Sequence, residues 1–185
     1  MKFTVRDMTF IGLFVALMVV GAFLKVPNPF FPAVPLTFQL FFCIYAGLLL
    51  GAKNAFFSQL VYVLLGLAGL PIFASGQGIG YVLHPTFGFI IGFLVAATAI
   101  ALLIGDSKKV SFVKMASVAL IGFILIYAIG ILYMYFVLDL YVGTDVSVIG
   151  ITGSMVPYMI KDLVLVVIAA LTSVKIIPAI RNAGY

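Results

Sequence analysis

The chain has 185 residues, 65% of them hydrophobic and only 8% charged, far from the roughly half-apolar, quarter-charged makeup of a soluble domain. A globule of this size cannot hide so many Phe, Leu, Ile and Val side chains, so a soluble fold is excluded and the solvent is lipid. The net charge of +5 comes from basic residues scattered along the apolar chain. They form no phosphate-tracking patch, which excludes nucleic acid as a partner. At about 20 residues per crossing the length allows at most about seven spans and no separate catalytic domain. Residues 1–185 are expected to form a single membrane domain.

Charge, Pro and Gly divide the chain into six apolar segments, predicting helices near 8–24, 36–50, 55–69, 85–104, 112–138 and 154–177. The first runs to Lys25 with no small-residue cleavage site, so it is expected to stay in the protein rather than leave as a signal peptide. It carries Gly12 and Ala16, a small-xxx-small step that lets another helix approach closely, either within the chain or from a partner membrane subunit. A segment rich in proline, Val26 to Pro35, follows, and its prolines forbid continuous helix. The second apolar segment is short. It holds the single Cys43, which cannot form a disulfide framework and reads as a small buried or lipid-facing residue.

A brief basic turn, Gly51 to Asn54, leads into the third segment, after which Leu70 to His84 form an apolar, glycine-rich loop. His84 precedes Pro85 at the start of the fourth segment. It reads as a capping or interface histidine, because no second His or Cys stands at metal spacing, and neither a metal nor a cofactor is expected. A second basic turn, Gly105 to Lys109, leads to a fifth segment long enough to tilt strongly, and Asp139 to Gly153 form a third long loop before the sixth. The apolar runs are continuous and lack barrel alternation. The expected fold is all-α: an integral membrane bundle of six transmembrane helices.

With both termini on one side, that side collects Lys2, Arg6, Lys53, Lys108, Lys109, Lys114, Lys175 and Arg181, against Lys25 and Lys161 on the other. The positive-inside rule makes the termini cytoplasmic and turns the three longer loops outward. The first two are too apolar to be solvated tails and are expected to fold back over the helix ends, as a lid over a cavity or as a simple plug. The expected location is the cell membrane of a prokaryote, with several passes.

Charges inside apolar segments are costly, so each is a candidate site. Asp162 is the clearest. Its neighbour Lys161 points about 100° away on a helix, so the two are not expected to pair face to face, and Lys161 can snorkel outward. Gln39 and Thr37 supply neutral donors and acceptors near the outer end of the second segment. Gln77 and Ser75 sit in the second outer loop, and Tyr158 in the sixth segment is counted with them. All fall on the outer side. The aromatic content is otherwise expected to serve lipid contact and packing, with Tyr near the interfaces.

No Gly-Lys-Ser/Thr phosphate loop is present and the chain has no glutamate, so neither ATP hydrolysis nor an acidic proton relay is expected. Nor does the sequence show an inverted repeat with paired broken helices. A transported solute would draw its energy from elsewhere, and the chain is expected not to be an enzyme. One remote enzymatic alternative is an intramembrane serine hydrolase using Ser75 and His84. Another alternative is a membrane assembly factor without a ligand.

Several stretches carry a family resemblance: Val34-Pro35-Leu36-Thr37-Phe38-Gln39, Ala46-Gly47-Leu48-Leu49-Leu50-Gly51, Gly69-Leu70-Pro71-Ile72-Phe73 through Gly76-Gln77-Gly78, and Pro85-Thr86 with Gly88-Phe89-Ile90-Ile91-Gly92-Phe93. Together they resemble the biotin-transporter S components of energy-coupling factor transporters, the BioY family. The resemblance implies a six-helix subunit that captures biotin outside and works with a T component and two cytoplasmic ATPases. It also implies T-component docking at Gly12 and Ala16, and pocket roles for Gln77 and Asp162. The chain departs from the family pattern where Lys161 replaces a Gly, Leu165 a Lys, His84 a Gly and Phe87 a Gly. These departures keep a related acid such as lipoate open as alternative cargo.

Overall fold

The computed structural model describes residues 3–25, 34–105 and 111–182. They contain six α-helices: α1 (Val5–Phe23), α2 (Gln39–Leu49), α3 (Gly51–Leu67), α4 (Phe87–Ile104), α5 (Phe112–Phe136) and α6 (Val148–Asn182). A 3-10 turn spans Ile79–Leu83, and a π-helical turn, Val137–Val142, extends α5. Lys2, Lys108, Lys109, the prolines at 27, 29 and 32, and the side chain of Arg181 lie outside the described residues.

The all-helical expectation is met, while of the six transmembrane helices expected fewer reach spanning length among the described residues. Three helical stretches are long and apolar enough to cross a membrane: Val5–Phe23, Phe87–Ile104 and Phe112–Val142. α2 has 11 residues and α3 has 17, below the roughly 20 that a full crossing takes. α6, with 35 residues, is about 52 Å long at 1.5 Å per residue and is interrupted by Pro157 and Pro178.

Local chemistry explains where the boundaries differ from expectation. α1 starts three residues before Met8 because Thr4 and Asp7 form a reciprocal capping box, each side chain taking the other's backbone N–H. The basic turn between α2 and α3 shrinks to Leu50. Gly51, at φ +71°, makes the left-handed step that only glycine takes without strain, and the next helix begins there. Lys53 and Asn54 are therefore helical: Lys53 pairs with Asp7 at 3.4 Å, and the Asn54 amide donates to Asp7 at 2.7 Å, pinning α3 to the start of α1. α6 begins at Val148, where Ser147 Oγ accepts the Gly150 N–H. This removes most of the expected third outer loop. Thr152, expected in that loop, and Ser154, expected to open the sixth helix, each return the hydroxyl proton to a backbone carbonyl of the preceding turn.

The core lies where α4 packs against α5, flanked by α2, α3 and α6. Small residues allow these close crossings: a Cβ on Gly92 would lie 3.0 Å from the Ile126 Cα, and one on Gly47 would lie 2.7 Å from the Ile100 Cβ. Loop 70–84 folds back over the helix ends, as its apolarity suggested. Phe73, almost fully buried, wedges its ring against Gly66 of α3 and edge-on to Tyr62, leaving a cavity beneath the loop.

Candidate binding site

The cavity lies at the end of the bundle where α2 and α4 begin. It opens at the surface, and its cavity volume is about 70 Å³. The Val34–Thr37 segment and Ala74–Ser75 close it from above. Phe89, Ile90 and Phe93 of α4, with Ile126 and Met155, form an apolar wall. The remaining lining is polar and falls into three groups.

The first group lies between α5 and α6. Asp162 is 6% exposed, and its carboxylate accepts the Tyr127 hydroxyl proton at 2.7 Å. Lys161 Nζ stands 2.7 Å from the other carboxylate oxygen and also donates to the Thr37 carbonyl. This corrects the expectation that the two adjacent side chains cannot pair. Their Cβ atoms diverge, but the four-carbon lysine stem bends back far enough to bring the ammonium to the carboxylate. Lys161 lines the cavity rather than reaching away from it. The pairing offsets the cost of placing Asp162 in an apolar bundle.

The second group joins α2 to α3. The buried Gln39 amide donates to Tyr62 Oη at 2.7 Å, and Tyr62 donates to the Ile72 carbonyl at 2.9 Å. Gln39 lines the cavity with one amide N–H given to Tyr62, and its amide carries an acceptor oxygen as well. The third group belongs to loop 70–84: Ser75, Tyr81 and Thr86 line the cavity, and Tyr81 Oη lies 2.7 Å from Thr86 Oγ1. Burial raises the Tyr81 phenol above its ordinary pKa, keeping it a neutral hydroxyl. Tyr158, buried on α6, donates to the Val34 carbonyl and so fixes the segment over the mouth.

The structure brings Thr37, Gln39, Ser75, Tyr158, Lys161 and Asp162 to one cavity. It leaves Gln77 exposed and outside the lining. Ser75 and His84 do not form the hydrolase pair: the His84 Nδ1 bonds to Thr86 instead, at 2.7 Å. Gly12 and Ala16 are exposed on α1, and nothing lies within 4 Å of where a Gly12 Cβ would stand, so this small-residue step faces outward rather than packing within the chain. Sequence reasoning missed Tyr62, Tyr81, Thr86 and Tyr127. The available signal was position: Tyr127 and Tyr62 lie well inside apolar helices, not at the interfacial ends where tyrosine usually stands.

Fold and cavity together define a membrane-type helical bundle that holds a charge-bearing pocket at one end. The BioY family model matches residues 1–182, and the chain belongs to that family. It is 39% identical to a probable biotin transporter BioY of Lysinibacillus sphaericus, over 96% of this chain and 89% of that one. Identity is 37% to the biotin transporter BioY of Thermotoga maritima, over 92% and 95%. The fold is similar to that of the S-component for biotin from an ECF-type ABC transporter, with a TM-score of 0.79, 22% identity, and 95% and 94% of the two chains covered.

Proposed function

We propose that this chain is the substrate-binding S component of an energy-coupling factor transporter and captures biotin. The carrying observation is the cavity itself, where Asp162, Lys161 and Tyr127 form a buried ionic cluster on one side and an aromatic and aliphatic wall stands on the other. Biotin complements both. Its ureido N–H groups suit the acceptors of Asp162 and Gln39, its ureido oxygen and carboxylate suit the ammonium of Lys161, and its sulfur ring suits the wall of Phe89, Ile90 and Phe93.

In this reading the six helices form one bundle in the bilayer with cytoplasmic termini, and the cavity faces outward. The Asp7, Lys53 and Asn54 cluster then lies at the opposite, cytoplasmic end, as the basic bias suggests. Uptake is powered by two partner ATPases through a T component, which meets the exposed Gly12 and Ala16 face of α1. Small residues there allow close helix approach. The test is titration of the purified protein with biotin, in competition with lipoate. Saturable biotin binding that lipoate does not displace at equal concentration supports the reading. Preferential lipoate binding reassigns the cargo, and binding of neither refutes the reading.

A further inference from the structure

His84 is the chain's single histidine, and it does not line the cavity. It is nevertheless built into the cavity wall. Its ring stacks on Tyr81, with centroids 4.8 Å apart and planes within 5°. Its Nδ1 meets the Thr86 hydroxyl at 2.7 Å and the Thr86 backbone N–H at 3.3 Å. A backbone N–H can only donate, so Nδ1 is the acceptor and the ring is neutral, with its proton on Nε2. The Thr86 hydroxyl then gives its proton to Nδ1. Its oxygen accepts from Tyr81 Oη at 2.7 Å, so the Tyr81 proton is committed to Thr86 and the Tyr81 lone pairs are left to Ser75, its other hydrogen-bond partner, and to the cavity.

We propose that His84 is a positioning residue of the binding cavity: acting through Thr86, it orients the Tyr81 hydroxyl so that lone pairs, and not a proton, face a bound ligand. The proposal rests on the reading of the cavity as a ligand site and adds one feature to it, an acceptor aimed at ligand N–H groups. Protonation at Nδ1 reverses the relay. The imidazolium donates to Thr86, the Thr86 hydroxyl turns to donate to Tyr81, and the Tyr81 proton swings into the cavity against the ligand's N–H. The Thr86 backbone N–H loses its acceptor in the same step.

α4 carries no ionisable side chain. The groups brought near by the elements packed on the turn are the phenols of Tyr62 of α3, Tyr81 itself and Tyr133 of α5, which donates to the Val82 carbonyl, and the ammonium of Lys25, which donates to the Ala74 carbonyl. Across the cavity stands the Lys161–Asp162 pair, whose own contribution to any acid dependence is shared by every His84 variant. Partial burial holds the imidazole below its ordinary pKa. The neutral, relay-competent form therefore prevails at neutral pH, and the change falls on the acid side.

The experiment measures biotin affinity by calorimetry from pH 8 down to about pH 5 for three proteins. The natural protein should bind with constant affinity at neutral pH and weaken on the order of tenfold in acid, the size of one hydrogen bond turned from favourable to opposed. His84→Asn places Oδ1 where Nδ1 stood and cannot titrate, so it should keep the neutral affinity within about threefold and lose this acid weakening. His84→Phe keeps the stack on Tyr81 but offers no acceptor, so it should bind on the order of tenfold more weakly at every pH. An acid limb shared by all three proteins, or full affinity in His84→Phe at neutral pH, overturns the proposal. Failure of the natural protein to bind biotin at neutral pH is distinguishable, because it removes the biotin reading and this proposal with it.

Discussion

Asp162 carries the largest predicted effect on binding. Its carboxylate holds the Tyr127 hydroxyl at 2.7 Å on one oxygen and the Lys161 ammonium at 2.7 Å on the other, so the anion is oriented before a ligand arrives. A hydrogen bond from a ligand N–H to such a carboxylate is worth about 1.5 to 3 kcal/mol. At about 1.4 kcal/mol per decade, Asp162→Ala should weaken biotin binding about 10- to 150-fold. Asp162→Asn preserves shape and an acceptor for Tyr127, but it replaces one oxygen with an NH2 group that faces Lys161 and the ligand as a donor. It should fall in the same range.

Tyr127→Phe removes only the orienting donor and should cost about 1 kcal/mol in binding. In the Asp162→Ala background the same change should cost almost nothing, because its partner is gone. Calorimetric titration of the four proteins of this cycle measures the coupling, and ligand-free melting temperatures separate lost binding from lost folding. Biotin affinity of Asp162→Asn within twofold of the natural protein would refute the reasoning. So would a Tyr127→Phe effect that persists undiminished without Asp162.

Four further outcomes follow from the geometry. Lys161→Met should both lower the melting temperature and weaken biotin binding at least tenfold, since it leaves the buried Asp162 without its counter-ion. Leucines at Gly12 and Ala16 together should leave biotin affinity unchanged, because both face outward from the bundle, yet abolish copurification with a T component and biotin uptake by cells. Gly66→Val should destabilise the protein by about 1 to 3 kcal/mol in thermal unfolding, because even a Cβ at that position would overlap the Phe73 ring at 2.1 Å. Gln77→Ala should change biotin affinity less than twofold in the same titration, as its side chain is exposed and outside the cavity lining.

The helices were legible because lipid removes ambiguity: a continuous apolar run has no soluble alternative, and α4 and α5 begin within two residues of where composition places them. The errors cluster where a polar residue serves the helix instead of ending it. Asp7 caps α1, Lys53 and Asn54 bind Asp7 from inside α3, and Thr152 is absorbed by a backbone carbonyl. Sequence scanning treats each of these as a break, because the partner that satisfies it is a helix away or hidden in the backbone.

The same distinction governs the cavity. Asp162 was visible as a lone charge in lipid, but its environment was not, because the 100° rule for adjacent helical residues describes where side chains leave the backbone and not where a lysine stem ends. Tyr127 was hidden for a related reason: tyrosine in a membrane helix suggests an interface until a buried carboxylate is found 2.7 Å away. Lys161, Asp162 and Tyr127 therefore form one unit, near-neutral in total and polar toward the cavity. This unit suits a ligand that, like biotin, brings both N–H donors and a carboxylate. A bare carboxylate in the same place would repel the acid, and a bare ammonium would leave the N–H groups without an acceptor. The pairing that adjacency seemed to forbid is what lets one short stretch of α6 present an acceptor and a donor side by side at the cavity wall.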